Sequence, residues 1–389
     1  MQMILVNSSA LEQKFIDTAR HVQGSNPHWI SPLHKDIRDV FDPVKNKCFR
    51  FGMVVRWILV DDNQQPIGRI AAFTNSKYRN KGDQVPVGGI GFFECIDNQE
   101  AANCLFDKAK AWLVEQGMEA MDGPINFGER DRWWGLVVEG FDPPMYCMNY
   151  NPPYYQRLFE QYGFQSFYQQ ICFGIDPNRP IAAKVEERHK QHAEDPDMRA
   201  ETISKANLDK YAADFVTVYN KAWAGHGGMK ELTLDMARVI FRKMKPVMDE
   251  RIIWYVYYKN EPIAVFINLP DLNQWFKHLK GGFSLYHKLK FLWVKATRPN
   301  KKAAGIVFGV VPEWQGKGVD AFMIGEAYHR FFKTAKSPYE KYEMQWIGDF
   351  NPRMLNVAEN LGETKRSRIL TTYRYQFDRS LPFERHPQL

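Results

Sequence analysis

The sequence predicts an α+β protein, an α/β sandwich in which two similar halves each combine a mixed, mostly antiparallel sheet with flanking helices. Three observations lead to this fold class. Residues 51–75 and 251–270 each read as two strand-like runs joined by a short turn sequence, as in a β-hairpin. Amphipathic segments with helical spacing lie between the strands. The same order of elements recurs after residue 198, and 389 residues favour two domains over one.

In the first half, each element follows from its local pattern. The turn residues DDNQQP separate the two hairpin strands. Apolar residues from Ala102 to Leu113 recur on one helical face, which predicts a helix there. We predict, in order, a strand at 2–8, a helix at 11–22, the hairpin, a strand at 87–96, that helix, a strand at 118–127, a short helix at 151–163 and a closing strand at 164–175.

The second half repeats this order with one insertion. The turn KNEP joins its hairpin, and a lysine-rich helical insertion follows to about residue 300. We predict a strand at 198–204, helices at 207–223 and 232–248, the hairpin, a strand at 303–311, a helix after residue 318, a strand at 342–348, a short helix from 352 and a closing strand at 368–377.

A polar, proline-flanked segment at residues 177–197 separates the halves and is predicted to be a helical linker. The domains are therefore predicted at 1–176 and 198–389. His189 and His192 in the linker have a spacing that suits a metal, but no third ligand is nearby in the sequence. We interpret them as part of a solvated helix face and predict no metal site.

The composition limits the classes of function. The net charge of +7 comes from dispersed residues, which argues against nucleic-acid binding and is compatible with a small anionic ligand. Five cysteines without a C-x-x-C pattern indicate reduced, packed thiols. No segment is long and apolar enough to span a bilayer, and the N-terminus lacks a signal-peptide pattern. We therefore expect a cytoplasmic protein without membrane contact.

Residues 309–332, GVVPEWQGKGVDAFMIGEAYHRFF, run from a strand through a glycine-containing turn into a helix. A helix N-terminus leaves about four backbone N–H groups unpaired and carries partial positive charge. Glycines at Gly316 and Gly318 allow a ligand to approach the backbone closely. The pattern therefore predicts an anion cradle for phosphate or pyrophosphate. A plain strand-to-helix turn, in which glycine only relieves backbone strain, explains the turn by itself equally well.

This turn, together with the order of elements around it, resembles the GCN5-related N-acetyltransferase (GNAT) superfamily. There the pattern Q/R-x-x-G-x-G/A holds the pyrophosphate of acetyl-CoA, and Gln315, Gly316, Lys317 and Gly318 match it. The resemblance spans residues 198–377. Asp320 stands where the pattern has glycine or alanine, so its carboxylate would face the phosphates.

The resemblance implies two tandem GNAT-like folds, of which the second binds acetyl-CoA or another acyl-CoA. It implies that a backbone N–H at Val310 or Val311 meets the acyl carbonyl and that Asn351 touches CoA. The residues implied to bind acyl-CoA are Val310, Val311, Gln315, Gly316, Lys317, Gly318, Val319, Asp320, Ala321 and Asn351.

The implied reaction is direct attack of an amine on the thioester, with acetyl transfer to a primary amine of a small molecule. The enzyme must deprotonate the amine, stabilise the carbonyl oxygen and protonate the thiolate. The candidate acid–base residues are Asp349 at a strand end, His226 in the loop AGHGG, and Tyr373 on the closing strand, where Tyr375 also lies. Each also has a structural explanation. Glu313 is predicted to face water.

The first half resembles the same fold but has no glycine at the corresponding turn. Asp97 and Glu100 have the spacing of a capping box, so this helix start is predicted to be satisfied by its own side chains. We interpret this half as a degenerate copy that shapes the acceptor site. Its long segment at residues 126–155 could line that site or form an ordered surface loop.

Two other functions stay open from the sequence. Tandem copies with one degenerate half also occur in Fem-like aminoacyl ligases, although the Q-G-K-G turn favours CoA. A non-catalytic acyl-CoA-binding protein would explain both Asp320 and the lack of an obvious base.

Overall fold

The computed structural model describes residues 1–223, 231–361 and 363–388. The first half and the linker helix contain β1 (Gln2–Leu5), α1 (Ser9–Gln23), α2 (His34–Val40), β2 (Gly52–Val60), β3 (Pro66–Asn75), β4 (Val87–Cys95), α3 (Gln99–Glu115), β5 (Ala120–Gly123), β6 (Leu136–Glu139), α4 (Tyr154–Tyr162), β7 (Gln165–Ile175) and α5 (Ala183–Ala193).

The second half contains β8 (Met198–Thr202), α6 (Leu208–Ala222), α7 (Leu234–Met244), β9 (Ile253–Tyr258), β10 (Glu261–Pro270), α8 (Asn273–Phe276), α9 (Leu285–Thr297), β11 (Lys302–Val310), α10 (Val319–Ala327), β12 (Lys341–Gly348), α11 (Pro352–Glu359) and β13 (Lys365–Gln376). One π-helical turn, Tyr328–Phe332, continues α10. The predicted hairpins are confirmed as β2–β3 and β9–β10, and α9 is the helix of the lysine-rich insertion.

The strands of both halves join in one sheet, which has thirteen strands within the described residues. Their order is β1-β2-β3-β4-β5-β13-β7-β12-β11-β10-β9-β8, with β6 pairing to β13 off this path. Each half supplies five strands in the same arrangement, with a parallel pair at β4–β5 and at β11–β12. The α+β fold class and its duplicated arrangement are therefore confirmed.

The closing strands are exchanged between the halves. β13, from the end of the second half, pairs with β5 of the first, and β7, from the end of the first half, pairs with β12 of the second. β7 and β13 also pair with each other at the centre of the sheet. Neither half completes its sheet with its own strands. The predicted limits of 1–176 and 198–389 follow the order along the chain and stay a prediction.

Buried ion pairs fix β13 between its neighbours. The guanidinium of Arg374 donates to both carboxylate oxygens of Asp122 in β5, at 2.6 and 2.8 Å, and to Asp83 at 2.8 Å. Asp122 is fully buried. Arg368, also on β13, lies 3.6 Å from the carboxylate of Glu343 in β12, on the far side of β7. The bidentate, buried pair of Arg374 and Asp122 therefore favours β5 as the strand partner of β13 and favours its register.

Asp271, which directly follows β10, is a buried carboxylate. Its Oδ1 accepts a hydrogen bond from the backbone N–H of Asn273 at 3.1 Å. Burial raises the pKa of its carboxyl from 3.8 to about 6, against the opposing attraction of Lys302. Because the folded-state pKa is the higher one, the folded protein binds more protons than the unfolded chain between about pH 4 and pH 6. The contribution of Asp271 to stability is therefore present below that window and lost as the pH rises through it.

We expect Asp271→Asn to become more stable relative to the parent as the pH rises from about 4 to 6. The gain should be at most about 3 kcal/mol, because each pKa unit corresponds to about 1.4 kcal/mol. Urea unfolding of both proteins across this range measures the difference, and other titrating groups cancel in the comparison. A difference that does not change with pH would contradict the assignment.

Candidate active site

The glycine turn between β11 and α10 has the geometry of an anion cradle. β11 ends at Val310, a short 3₁₀ turn follows at Pro312–Trp314, and α10 begins at Val319. Gly316 and Gly318 both have positive φ, 74° and 87°, a conformation that side chains other than glycine rarely adopt. Gly318 is the N-cap residue, and no side chain caps the helix. The first N–H groups of α10 are therefore not used by a cap and can bind an anion.

Two side-chain contacts stabilise the turn. The Gln315 amide Nε2 donates to the carbonyl oxygen of Val310 at 3.0 Å. The His192 Nε2 lies 2.7 Å from the carbonyl oxygen of Lys317 and donates to it, since a carbonyl only accepts. Gln315, which matches the family pattern, therefore orders the turn by binding the end of β11. His192 of the linker helix α5 stabilises the turn from its other side.

The interpretation of the linker as a solvated helix face is wrong for His189, whereas His192 is half-buried. His189 is buried, and its ring stacks on Phe322 of α10 at a centroid distance of 5.7 Å. Its Nε2 pairs with Glu326 at 3.0 Å. The reason is that α10 is mostly apolar, with Asp320 and Glu326 as its polar residues, so its outer face needs a cover, and α5 supplies it.

The same contact contains one group of side chains with metal-compatible spacing. Glu186, His189 and His329 present ligand atoms within 4.8 Å of one another. His329 Nε2 also lies 2.8 Å from Glu186, so these atoms already form hydrogen bonds between α5 and the end of α10. The prediction that the protein has no metal site stays a prediction.

Beside the cradle, the sheet opens between two parallel strands. β11 and β12 pair only from Lys302–Lys341 to Gly305–Met344, and then diverge. Both strands are irregular at this point, because Ile306 is an extra residue relative to β10, and residues 345–346 of β12 stand opposite the single residue 172 of β7. Bulges bend a strand locally and break its pairing. They separate the two strands directly below α10 and α11.

A cavity of about 460 Å³ fills this gap. This volume lies in the range of small-molecule sites. The π-helical turn after α10 contributes Tyr328, and residues after β7 form a further wall. The apolar side chains around it include Ile306, Phe308, Ile324, Ala327, Trp346 and Val357. The site therefore combines an anion cradle with an adjacent apolar cavity.

The first half contributes directly to this cavity. Arg130 and Asp131 line it, and both belong to the long segment at 126–155. These two residues of the segment therefore line a cavity, and the interpretation that the segment lines the acceptor site stays a prediction. Arg130 also donates to Asn80 at 2.7 Å, which ties the segment to the first-half core.

The corresponding gap in the first half is closed. β4 and β5 pair up to Gly89–Asp122 and then diverge in the same way. The chain after β5 folds back into the opening, because the N–H of Ile125 donates to the carbonyl of Ile90 at 2.7 Å. Gly91 lies so close to the carbonyl of Ile125 that a Cβ atom would stand 1.9 Å from it. The two halves therefore differ at the position equivalent to the cavity.

The helix start beside this closed gap is capped by a side chain, as predicted, but by a different residue. Asn98 is the N-cap of α3, and its side chain accepts from the N–H of Ala101 at 2.8 Å. Asp97, which the capping-box prediction used together with Glu100, instead pairs with Arg157. The prediction of the capping residue was wrong by one position, because Asn and Asp are equally good N-caps and stand side by side here.

Two further predicted CoA contacts, Val311 and Asn351, have defined partners. The N–H of Val311 donates to the carbonyl of Ile263 at 2.9 Å, so this donor is already used in the sheet. Asn351 is the N-cap of α11, and its side chain accepts from the N–H of Met354 at 3.3 Å. Asp320 lies in the first turn of α10, next to the cradle.

The remaining predicted CoA-binding residues form the cradle itself. Lys317 is exposed and its ammonium lies 5.4 Å from the centre of the Trp314 ring. Glu313 is exposed, as predicted. Val319 and Ala321 are buried, so only their backbone N–H groups could take part in the predicted anion binding.

The two candidate acid–base residues that the structure describes, Asp349 and Tyr373, do not come together at the cavity. Asp349 forms an ion pair with Arg385 at 2.6 Å. Tyr373, on the exchanged strand, packs in the first-half core with Tyr375, and its hydroxyl donates to Glu160 at 2.9 Å. His226 lies outside the described residues. Neither Asp349 nor Tyr373 is among the residues that line the cavity.

Two residues near the cradle were not anticipated from the sequence as ligand contacts. Arg188 and His192 of α5 lie beside Gly318, where a Cβ atom would be 3.2 Å from the imidazole of His192 and 3.6 Å from the Cβ of Arg188. Because Arg188 and His192 are four residues apart, they lie on one face of the helix. This spacing was the sequence signal that could have identified them. The linker helix therefore contributes an imidazole and the basic residue Arg188 beside the glycine turn, in addition to Lys317.

The fold, with its exchanged closing strands and its diverging parallel pair, is that of tandem GNAT proteins. A tandem GNAT protein from the clavulanic acid biosynthesis pathway superposes with a TM-score of 0.54 at 9% identity, over 98% of this chain and 99% of that one. A GCN5-related glucosamine N-acetyltransferase region of a fungal multi-domain β-N-acetylglucosaminidase gives 0.54 at 12% identity, over 96% of this chain and 38% of that one. The resemblance to the GNAT superfamily is confirmed at the level of the fold.

Two curated proteins are similar over most of their length. Bacterial ceramide synthase of Caulobacter vibrioides (strain NA1000 / CB15N) is 25% identical over 369 residues, which cover 94% of each chain. Protein YghO of Escherichia coli (strain K12) is 24% identical over 359 residues, covering 90% of this chain and 88% of that protein. No family model matches the sequence.

Proposed function

We propose that this protein is an acyl-CoA-dependent N-acyltransferase whose second half binds the thioester. The observation that carries the proposal is the apolar cavity at the divergence of β11 and β12, which is lined by Ile324 and Ala327 of α10, the helix whose N-terminus is uncapped. The cradle suits the pyrophosphate of CoA, because it offers backbone N–H groups and the positive end of a helix. Arg188 and Lys317 add positive charge beside it. The cavity suits the acyl chain.

The chemistry needs no covalent enzyme intermediate. The amine nitrogen attacks the thioester carbonyl, a C–N bond forms, the C–S bond breaks, and the thiol of CoA leaves with a proton. The amine must first lose a proton to a base. Asp349, His226 and Tyr373 stay untested candidates for these proton transfers, although neither Asp349 nor Tyr373 lines the cavity. A backbone N–H near Val310 stays the candidate for binding the carbonyl oxygen.

We further propose that the acyl group is a long fatty chain and that the acceptor is a lipid-like amine. An acetyl group would leave most of the apolar cavity unfilled, whereas each buried methylene contributes about 0.8 kcal/mol to binding. The similarity to a protein named ceramide synthase supports this class, because a ceramide is the amide of a fatty acid and a long-chain amino alcohol. Acetyl transfer to a small amine is the alternative.

The test is a thiol-release assay with acetyl-, octanoyl- and palmitoyl-CoA against small amines, amino sugars and sphingoid bases. We expect CoA release that depends on a long-chain amine and rises with acyl chain length. A preference for acetyl-CoA would contradict the long-chain assignment. Thermal stabilisation by acyl-CoA without release for any amine would favour a binding protein. No stabilisation by any thioester would favour a Fem-like ligase.

The chain-length proposal predicts a specific change in selectivity. Ala327 is buried in α10 and lines the cavity. Ala327→Phe should lower kcat/KM for palmitoyl-CoA relative to acetyl-CoA by at least about tenfold, since the ring occupies volume that two or more methylenes would fill. Ala213→Phe, at an exposed position of α6, is the matched control and should leave the ratio unchanged. An unchanged ratio in Ala327→Phe would show that the acyl chain lies elsewhere.

A further inference from the structure

Helix α9 has an exposed apolar face with nothing packed on it within the described residues. Five large apolar side chains recur at helical spacing along one side. Their exposed fractions are Leu285 73%, Tyr286 66%, Leu289 60%, Leu292 59% and Trp293 59%. At 3.6 residues per turn they form one stripe about 120° wide. We call these five residues the α9 stripe.

The opposite side of α9 holds the helix on the protein. Val294 is buried, and the ring of Phe291 packs on those of Trp275 and Phe276, at centroid distances of 6.0 and 5.6 Å. Lys295 donates from its ammonium to the carbonyl of Pro246. The helix therefore already has a packed face, and the α9 stripe faces outward in addition to it.

The charge around the stripe has a single sign. No aspartate or glutamate occurs from residue 272 to residue 312. On the helical projection, Lys290 borders one edge of the stripe, and Lys288 and Lys295 border the other. The basic residues of this segment that form no ion pair with a carboxylate in the described residues are Lys277, Lys280, Lys288, Lys290, Lys295 and Arg298.

We propose that α9 docks this protein on the surface of an anionic phospholipid bilayer. An outward apolar face that contains Trp and Leu, bordered on both sides by lysines, is the pattern of helices that lie in the membrane interface. The apolar side chains enter the acyl boundary while the lysines reach the phosphate groups, and each basic residue near an anionic surface adds about a tenfold gain in affinity at most.

A second copy of the chain fits the stripe less well. In a two-fold symmetric dimer the same patch would meet itself, so the lysines along each edge would face lysines of the partner. Among the described residues, the segment has no carboxylate to neutralise them. The absence of a spanning helix in residues 1–223, 231–361 and 363–388 does not bear on this, because an interfacial helix does not cross the bilayer. The expectation of no membrane contact rested on spanning segments alone.

The experiment is vesicle flotation of the full-length protein without acyl-CoA or amine, so that its result does not depend on the proposed reaction. Vesicles of phosphatidylcholine are compared with vesicles that also contain phosphatidylglycerol. We expect binding to the anionic vesicles, weaker at high salt. Binding that is equal for both vesicle types, or absent from both, would overturn the proposal.

Two variants and two matched controls test the surface itself. Leu289→Ser with Trp293→Ser, and separately Lys288→Glu with Lys290→Glu, should each lower vesicle affinity at least about tenfold. The apolar control is Met53→Ser with Val114→Ser, which are exposed to about half in the first half. The charge control is Lys108→Glu with Lys110→Glu on α3. These two lysines have the same spacing as Lys288 and Lys290, and in each pair the first is exposed and the second half-buried.

The controls should bind vesicles like the parent. Equal losses in the control and α9 variants would show a non-specific effect of charge or polarity and overturn the proposal. Light scattering tests the alternative that a second copy of the chain covers the α9 stripe. The stripe would be assigned to self-association instead if the parent is a dimer, the Leu289→Ser, Trp293→Ser variant is a monomer, and neither protein binds vesicles.

Discussion

Replacement of Arg374 by leucine is expected to lower the free energy of unfolding by about 3–5 kcal/mol, because it leaves a buried carboxylate without its counter-charge. Asp122 is fully buried and accepts two hydrogen bonds from Arg374, at 2.6 and 2.8 Å. Its other donors are the hydroxyl of Tyr78 and the amide of Asn80, which carry no charge. Since β13 completes the sheet of the first half through this contact, both halves should lose stability together.

Urea unfolding measures this loss, and the same strand offers a control. Arg366 also lies on β13 and pairs with Glu359, but both side chains are about half exposed. Arg366→Leu should cost less than about 1 kcal/mol, because exposed ion pairs contribute little. Adding Asp122→Asn to Arg374→Leu should recover part of the loss by removing the buried charge. Equal costs at positions 374 and 366 would contradict the role of the buried pair.

The sequence predicted the elements of each half well, because their signals are local. The β2–β3 and β9–β10 hairpins follow from strand patterns around turn residues, and Lys259 and Asn260 adopt the positive φ of the predicted KNEP turn. The exchange of closing strands was not predictable in this way. β7 and β13 both read as strands with adjacent apolar and aromatic residues, and such a local pattern does not determine which neighbour a strand pairs with. The choice depends on distant groups such as Arg374 and Asp122.

The site was predicted where backbone conformation determines it and missed where tertiary contacts do. Gly316 and Gly318 indicated the turn, and both have positive φ. The packing of α5 on α10 was missed, because the sequence of a charged helix, taken alone, indicates a solvent-exposed helix. The signal lay in α10, whose residues from Val319 to Ala327 are almost all apolar and therefore need a cover on the outer side. The cavity was not predictable, because it results from bulges at a point where both strands read as regular.

The other large effect is expected at the cradle. If the second half binds acyl-CoA as proposed, Gly316→Val and Gly318→Val should each weaken CoA binding by about ten- to a hundredfold. A β-branched residue does not readily adopt a φ of 74° or 87°, so the turn must change and its N–H groups move away from the phosphates. One charge-assisted hydrogen bond is worth about 1.5–3 kcal/mol, which corresponds to this loss. Isothermal titration with CoA measures it.

Gly316→Val and Gly318→Val should differ in stability. A third variant, Gly117→Val, distinguishes the effect of backbone strain from a loss of CoA binding. Around Gly316 a Cβ atom would meet nothing within 4 Å, so only the backbone is strained there. At Gly318 it would meet the imidazole of His192 at 3.2 Å, so Gly318→Val should also loosen α5 and lower the melting temperature further.

Gly117 is the matched control, with a φ of 77° and open space around it, at the end of α3. Gly117→Val should cost stability like Gly316→Val but leave CoA affinity unchanged. If all three variants bind CoA like the parent, the turn has only a structural role, and the anion must bind elsewhere.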